Sequence, residues 1–119
     1  MIILDIEEIK NAHITLALIF INLISFVAIN VFLGDYYVLL LAQINQRVWN
    51  GEIWRLFSSM FMHADAVHLF SNSIALLLFG ALLETTRFTS KIQYLVIYFM
   101  SGLVGNIFTL FLFPVDAIS

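Results

Sequence analysis

Residues 11–34, NAHITLALIFINLISFVAINVFLG, run for 24 positions without a charged side chain, and their length decides the solvent in which this chain folds. A helix rises about 1.5 Å per residue and the hydrocarbon core of a bilayer is about 30 Å thick, so about 20 apolar helical residues cross it. Two further uncharged windows follow, 18 residues from Ala66 to Leu83 and 24 from Ile92 to Val115. The rest of the composition agrees. Of 119 residues, 62% are apolar and 11% charged, against about 45–50% and about 25% in soluble domains; the mean hydropathy is +1.02. The sequence therefore predicts an all-α integral membrane protein with three transmembrane helices.

Working outward, residues 1–10 form a short N-terminal segment holding Asp5, Glu7, Glu8 and Lys10. The first window is far longer than the apolar core of a signal peptide and has no small-residue cleavage site, so it is expected to be retained. Residues 35–65 are too many for a tight helical hairpin loop and too apolar for a plain one. Tyr36 to Ala42 is an apolar run shorter than a span, and Arg47, Trp49, Trp54 and Arg55 are residue types that favour headgroup depth. This segment reads as a partly embedded connection. The second span, 66–83, is short and starts beside Asp65 with His68 and Asn72 inside it, the pattern of a helix that begins in a wet, protein-lined region. In the third, 92–115, Pro114 followed by Asp116 marks the exit from the membrane.

These parts make one unit over residues 1–119. Lys10, Arg87 and Lys91 fall on one side and Arg47 and Arg55 on the other, so the positive-inside bias, three against two, slightly favours a cytoplasmic N-terminus; the expected location is the cell membrane. A net charge of −3 with five basic residues offers no footprint for nucleic acid. With no cysteine there is no disulfide, thiolate metal site or cysteine nucleophile.

Polar groups at membrane depth are costly unless partnered, so the few present are where chemistry is sought. His68 and Asn72, at i and i+4, advance about 400° along a helix and leave the same face one turn apart. An imidazole N–H and an amide NH₂ converging in a water-poor cleft suit a developing oxyanion. The same pair could equally hydrogen-bond a neighbouring helix. His63 and His68 invite a metal reading, but positions i and i+5 diverge by about 140° on a helix and only His13 remains as a further imidazole, too few for a di-iron box. No metal or cofactor is expected. His13 itself is read as an interfacial side chain.

The His68 face continues through Asn72, Leu76, Gly80 and Glu84 in steps of four. Ser101 and Gly105, with Gly102 and Asn106 beside them, form a second small-residue pair. Both patterns read as tight packing of the second span against the third. Glu84 is expected to make an exposed ion pair with Arg87, worth little. No charge falls inside a predicted span, which disfavours a transporter or channel subunit. No Gly-x-Ser-x-Gly or phosphate loop occurs.

Taken together, Glu52-x-Trp54-Arg55, Phe61-Met62-His63, His68-x-x-x-Asn72, Gly80-x-x-x-Glu84 and Ser101-Gly102-x-x-Gly105-Asn106 resemble, in order and spacing, the first half of the rhomboid family of intramembrane serine proteases. The resemblance implies a fold of at least six helices, of which these would be the first three, cleaving transmembrane substrates with a serine–histidine dyad. It places Trp54 and Arg55 in the half-embedded loop after the first helix, assigns His68 and Asn72 to polarising the scissile carbonyl, and gives His63, Glu52, Gly80, Glu84, Gly102, Gly105 and Asn106 supporting places.

The departure is as informative. The family's nucleophile lies in Gly-x-Ser-Gly on helix four and its base on helix six; here Ser101-Gly102 follows Phe99-Met100 on the third span, and Ser119 is the last residue. The expectation is an N-terminal part, inactive by itself, whose catalytic half is separately encoded or lost. The alternative is a non-catalytic membrane protein that binds transmembrane segments of clients. Alone in lipid, the exposed His68 and Asn72 are expected to drive oligomerisation or degradation.

Overall fold

The computed structural model describes residues 6–63, 65–86 and 89–114. They form α1 (Ile6–Asn11), α2 (His13–Leu33), α3 (Asp35–Leu41), α4 (Asn45–Trp49), α5 (Arg55–Ser58), a 3₁₀ turn (Ser59–Phe61), α6 (Ala66–Thr85) and α7 (Lys91–Leu112), with no strand among the described residues. Three of these helices, α2, α6 and α7, are 21, 20 and 22 residues long and apolar enough to cross a membrane.

Local chemistry explains where each span departs from its charge-free window. Ala12, at φ −81° and ψ 64°, separates α1 from α2, and Gly34 ends α2 at φ +84°, a conformation that costs glycine little. Asp65 caps α6, its Oδ1 accepting the His68 N–H at 2.8 Å. At its other end α6 overruns the window to Thr85, so Glu84 lies within a span after all. Ser90 and Gln93 form a reciprocal capping box that starts α7 at Lys91. α7 stops at Leu112 because Phe113, extended at φ −108° and ψ 159°, precedes Pro114. Val115 and Asp116, the rest of the predicted exit, and Arg87 lie outside the described residues.

Burial is inverted relative to a soluble domain. Phe20, Phe79 and Phe111 are 62%, 73% and 68% exposed, whereas Thr15, Asn22, Gln43, Asn45, Arg55 and His63 are buried. In hydrocarbon the apolar side chains need no cover, and the polar groups hold the helices to one another.

α2 packs along α6. It passes closest where α6 widens into a π turn over Leu76–Gly80, and a Cβ on Gly80 would meet Thr15 Cγ2 at 3.2 Å and Tyr94 Oη at 2.7 Å. α6 and α7 approach over Ala81–Thr85. Toward the other end they separate, and the connection α3–α5 with its 3₁₀ turn packs against α7 instead. The close packing of the second span on the third is thus found at Gly80, where Tyr94 of α7 approaches, and is corrected for the Ser101 and Gly105 pair. Gly105 has open space beside it, Ser101 is exposed, and Gly102 receives Met60 from the 3₁₀ turn and not a neighbouring span.

Candidate active site

Between α6 and α7 lies a cleft of about 670 Å³. His68, Asn72, Ser73 and Leu76 line one wall, Tyr98, Ser101, Gly102 and Asn106 the other, and His63 and Ser59 border it from the connection. His68 and Asn72 are both exposed, and among the described residues neither side chain makes a hydrogen bond. Among the described residues, the two side chains line the cleft wall without a bonded partner.

His63 is brought to the same place. It follows the 3₁₀ turn in a non-helical segment, which removes the angular divergence expected of two helical residues five apart, and its ring meets that of His68 at 5.3 Å between centroids and 75° between planes. It is buried, and its Nδ1 has no partner among the described residues. Burial first, and the neighbouring His68 second, hold its pKa below the ordinary 6.5.

The connection that carries His63 is built by Trp54 and Arg55. A helix leaves its last four carbonyls without intrahelical donors, and α3 has them answered by a single segment: Arg55 Nη1 donates to Leu39 O and to Ala42 O, the latter at 2.8 Å, Trp54 Nε1 to Leu40 O at 3.2 Å, and Ser58 Oγ to Leu41 O at 2.6 Å. The cation also sits favourably at the negative end of the helix dipole. Glu52 Oε1 accepts from Arg55 Nε and Nη2, each at 2.9 Å. Arg55, 2% exposed, is thus an internal cap and not a headgroup anchor, which corrects its sequence reading. Trp54 is half exposed.

Asn106 ties this connection to α7. Its Nδ2 donates to Leu56 O at 2.7 Å and Ser59 Oγ at 3.1 Å, and its own carbonyl accepts from Gln43 Nε2 at 2.9 Å. Asn45 adds bonds to Thr109 O and Pro114 O. Glu84 ties the opposite end. Its two carboxylate oxygens accept the N–H groups of Ile14 at 2.7 Å and Thr15 at 2.8 Å, and the Thr15 hydroxyl donates at 2.7 Å while contacting Tyr94 Oη at 2.8 Å. α2 has no side-chain cap of its own, so a carboxylate from α6 caps it from outside and meets the positive end of its dipole. The expected partner Arg87 lies outside the described residues; Glu84 is committed to α2.

Sequence reasoning passed over Thr15, Asn22, Gln43, Asn45, Tyr94 and Tyr98. A signal existed for the first two, polar residues seven apart and hence on one face of an otherwise apolar span, which a search for charges overlooks.

Residues 50–118 match the family model described as Rhomboid domain. The chain is 42% identical over 72 residues to "Putative rhomboid protease YdcA" of Bacillus subtilis (strain 168), covering 60% of this chain and 35% of that protein. It is 35% identical over 65 residues to "Rhomboid-like protease 3" of Toxoplasma gondii, covering 55% and 24%, and 37% identical over 71 residues to "Inactive RHOMBOID-like protein 8" of Arabidopsis thaliana, covering 59% and 20%. The chain spans about a third or less of the length of these relatives. No solved structure matches it.

Proposed function

The chain belongs to the rhomboid family, and on that premise we propose that its three spans are the carbonyl-binding half of an intramembrane serine protease site. The observation that carries this reading is the pair His68 and Asn72, unpartnered among the described residues on the wall of a cleft of about 670 Å³. Buried or membrane-embedded donors are ordinarily consumed by structure, and donors left pointing into a cleft are available to a ligand.

The reaction is a serine-type acyl transfer. A serine Oγ attacks the scissile carbonyl of a transmembrane substrate, a histidine takes the hydroxyl proton and passes it to the leaving amine, and water then releases the acyl group. His68 and Asn72 donate to the oxyanion formed in each addition step, in a water-poor cleft where such bonds are strong. The nucleophile and base implied by the family resemblance are not among these 119 residues. The complete site requires them from a further segment, whether of the same polypeptide or a separate one. Without that segment the three spans hold a carbonyl and do not cleave it.

The setting is a lipid bilayer, with the N-terminus cytoplasmic by the charge bias and the plasma membrane as the expected location. The partners are transmembrane segments of client proteins. The decisive experiment joins these residues with a segment bearing Gly-x-Ser-Gly and the later histidine in proteoliposomes and follows cleavage of a transmembrane substrate. Asn72→Ala should lower kcat about 10²–10³-fold, the cost of losing one oxyanion donor. Unchanged cleavage removes Asn72 from the site.

A second reading, a non-catalytic protein that binds client segments in the same cleft, is favoured by the similarity to a relative named as inactive. It predicts that a photo-crosslinker placed at Ser73 captures transmembrane segments from this chain alone, with no cleavage after the dyad is supplied.

A further inference from the structure

His68 has little to hold its ring. It is exposed, its side chain makes no hydrogen bond among the described residues, and on a helix at least two χ1 wells are open to it. A donor that must meet an oxyanion in one direction gains from being fixed in advance. Among the described residues, the one aromatic ring paired with it is that of His63, set edge-on.

His63 is itself well fixed, and the fixing comes from α7. Asn106 binds Leu56 O and Ser59 Oγ at the start of the 3₁₀ turn, Met60 packs on Gly102, and Phe61 meets Phe99 with ring centroids 6.2 Å apart. Two residues on, the His63 ring is buried at 6% exposure and lies edge-on to His68. A continuous set of contacts thus runs from α7 through the turn to His63 and across the cleft mouth to the first turn of α6.

We propose that His63 is a positioning residue, whose ring contact, anchored through the 3₁₀ turn to α7, selects the orientation in which His68 presents its N–H to the cleft. The proposal rests on the reading of His68 as a carbonyl donor. An edge-to-face pair contributes enough to favour one ring orientation over another without locking it. The buried Nδ1 of His63 has no partner among the described residues, and an unanswered acceptor is tolerated better than an unanswered N–H. The tautomer with its proton on Nε2 is accordingly the favoured one, leaving the ring neutral beside His68.

The test uses the whole chain in lipid bicelles with ¹⁵N-labelled histidine, reading the His68 ring nitrogens by long-range ¹H–¹⁵N correlation and its χ1 by side-chain couplings, with the Asn72 amide signal as the check that α6 is intact. In the unchanged protein His68 should show one rotamer and one tautomer. His63→Phe keeps an aromatic ring and should preserve the rotamer; His63→Leu keeps bulk without a ring and should give couplings averaged over two wells. If His63→Leu leaves His68 unaltered, or His63→Phe releases it as fully as leucine does, the ring contact does not position it and the proposal fails. None of these readings depends on cleavage. A His68→Ala variant that still cleaves in the completed protease would overturn the carbonyl-donor role separately.

Discussion

At one end of α6, Glu84 accepts three hydrogen bonds from Ile14 and Thr15; twelve residues away, about 18 Å along the same helix, the side chains of Asn72 and its neighbour His68 accept and donate none among the described residues. Both ends lie on one stripe of side chains spaced by four, and both carry polar groups that a membrane penalises. The first end is closed by α2 and α7. The second opens into the cleft. The difference teaches how to separate structure from chemistry in this fold: a polar side chain whose bonds are all made holds helices together, and one whose bonds are still unmade is available to a ligand.

That separation predicts an order of stabilities. The largest loss should come from Arg55→Ala, which opens a void under α3 and strips donors from Leu39 and Ala42. Glu52 is 26% exposed and keeps Arg47 at 3.7 Å, so the cost falls mainly on the unanswered carbonyls of α3 and the void, about 2–4 kcal/mol. Unfolding in mixed detergent, with protease cutting in residues 35–61 as a second readout, measures it; a loss below about 1 kcal/mol would show that Arg55 is not the buried cap. Next comes Glu84→Ala, which abandons two N–H groups at the start of α2 and the Thr15 hydroxyl and should cost about 2–4 kcal/mol. Glu84→Gln keeps one acceptor oxygen and should recover part of that. If glutamine and alanine destabilise equally, the carboxylate's charge at the helix N-terminus carries the interaction.

The two ends also differ in how far the sequence reveals them. The three spans are legible because solvent choice depends on runs of apolar residues, and a run needs no knowledge of neighbours. His68 and Asn72 are legible as a pair because helical spacing alone puts them on one face. What each polar residue touches is not legible, since it depends on elements far away in the chain. Glu84 caps α2 through Thr15, 69 residues away, a partner that nothing near it in the sequence announces. Arg55 reads as interfacial by type but is buried against carbonyls 13 and 16 residues before it. Ser101 and Gly105 read as a packing surface, yet Met60 occupies the neighbouring glycine and α6 diverges from them.

His63 lies between these extremes, buried like Glu84's partners yet beside the open pair. Its pKa, held below 6.5 by burial and by His68, means that below pH 6.5 the unfolded chain binds a proton that the folded chain resists. Stability should therefore fall as pH drops below 6.5, and stop falling once His63 protonates in the folded state as well. His63→Phe should flatten this part of the profile, and a profile unchanged by the substitution would show that His63 is not the group responsible.

The smallest effects should come from the open end itself. Asn72→Ala removes a side chain with no bonded partner among the described residues, so it should change unfolding stability by no more than about 0.5 kcal/mol, the range of substitutions that touch no special feature; His68→Ala also loses the edge-to-face contact with His63 and should cost about 0.5–1.5 kcal/mol. Truncating Asn72 and truncating Glu84 would then differ by several fold in stability although both residues lie on one stripe of one helix. The contrast sharpens if the rank inverts for activity once the proposed catalytic segment is supplied, where the proposed role requires Asn72→Ala to cost orders of magnitude in kcat and Glu84→Gln to act through folded population. A loss of 2 kcal/mol or more from Asn72→Ala in this chain would mean that Asn72 is already bonded to a neighbouring helix, and it would move this end of α6 from the available groups to those that hold the helices together.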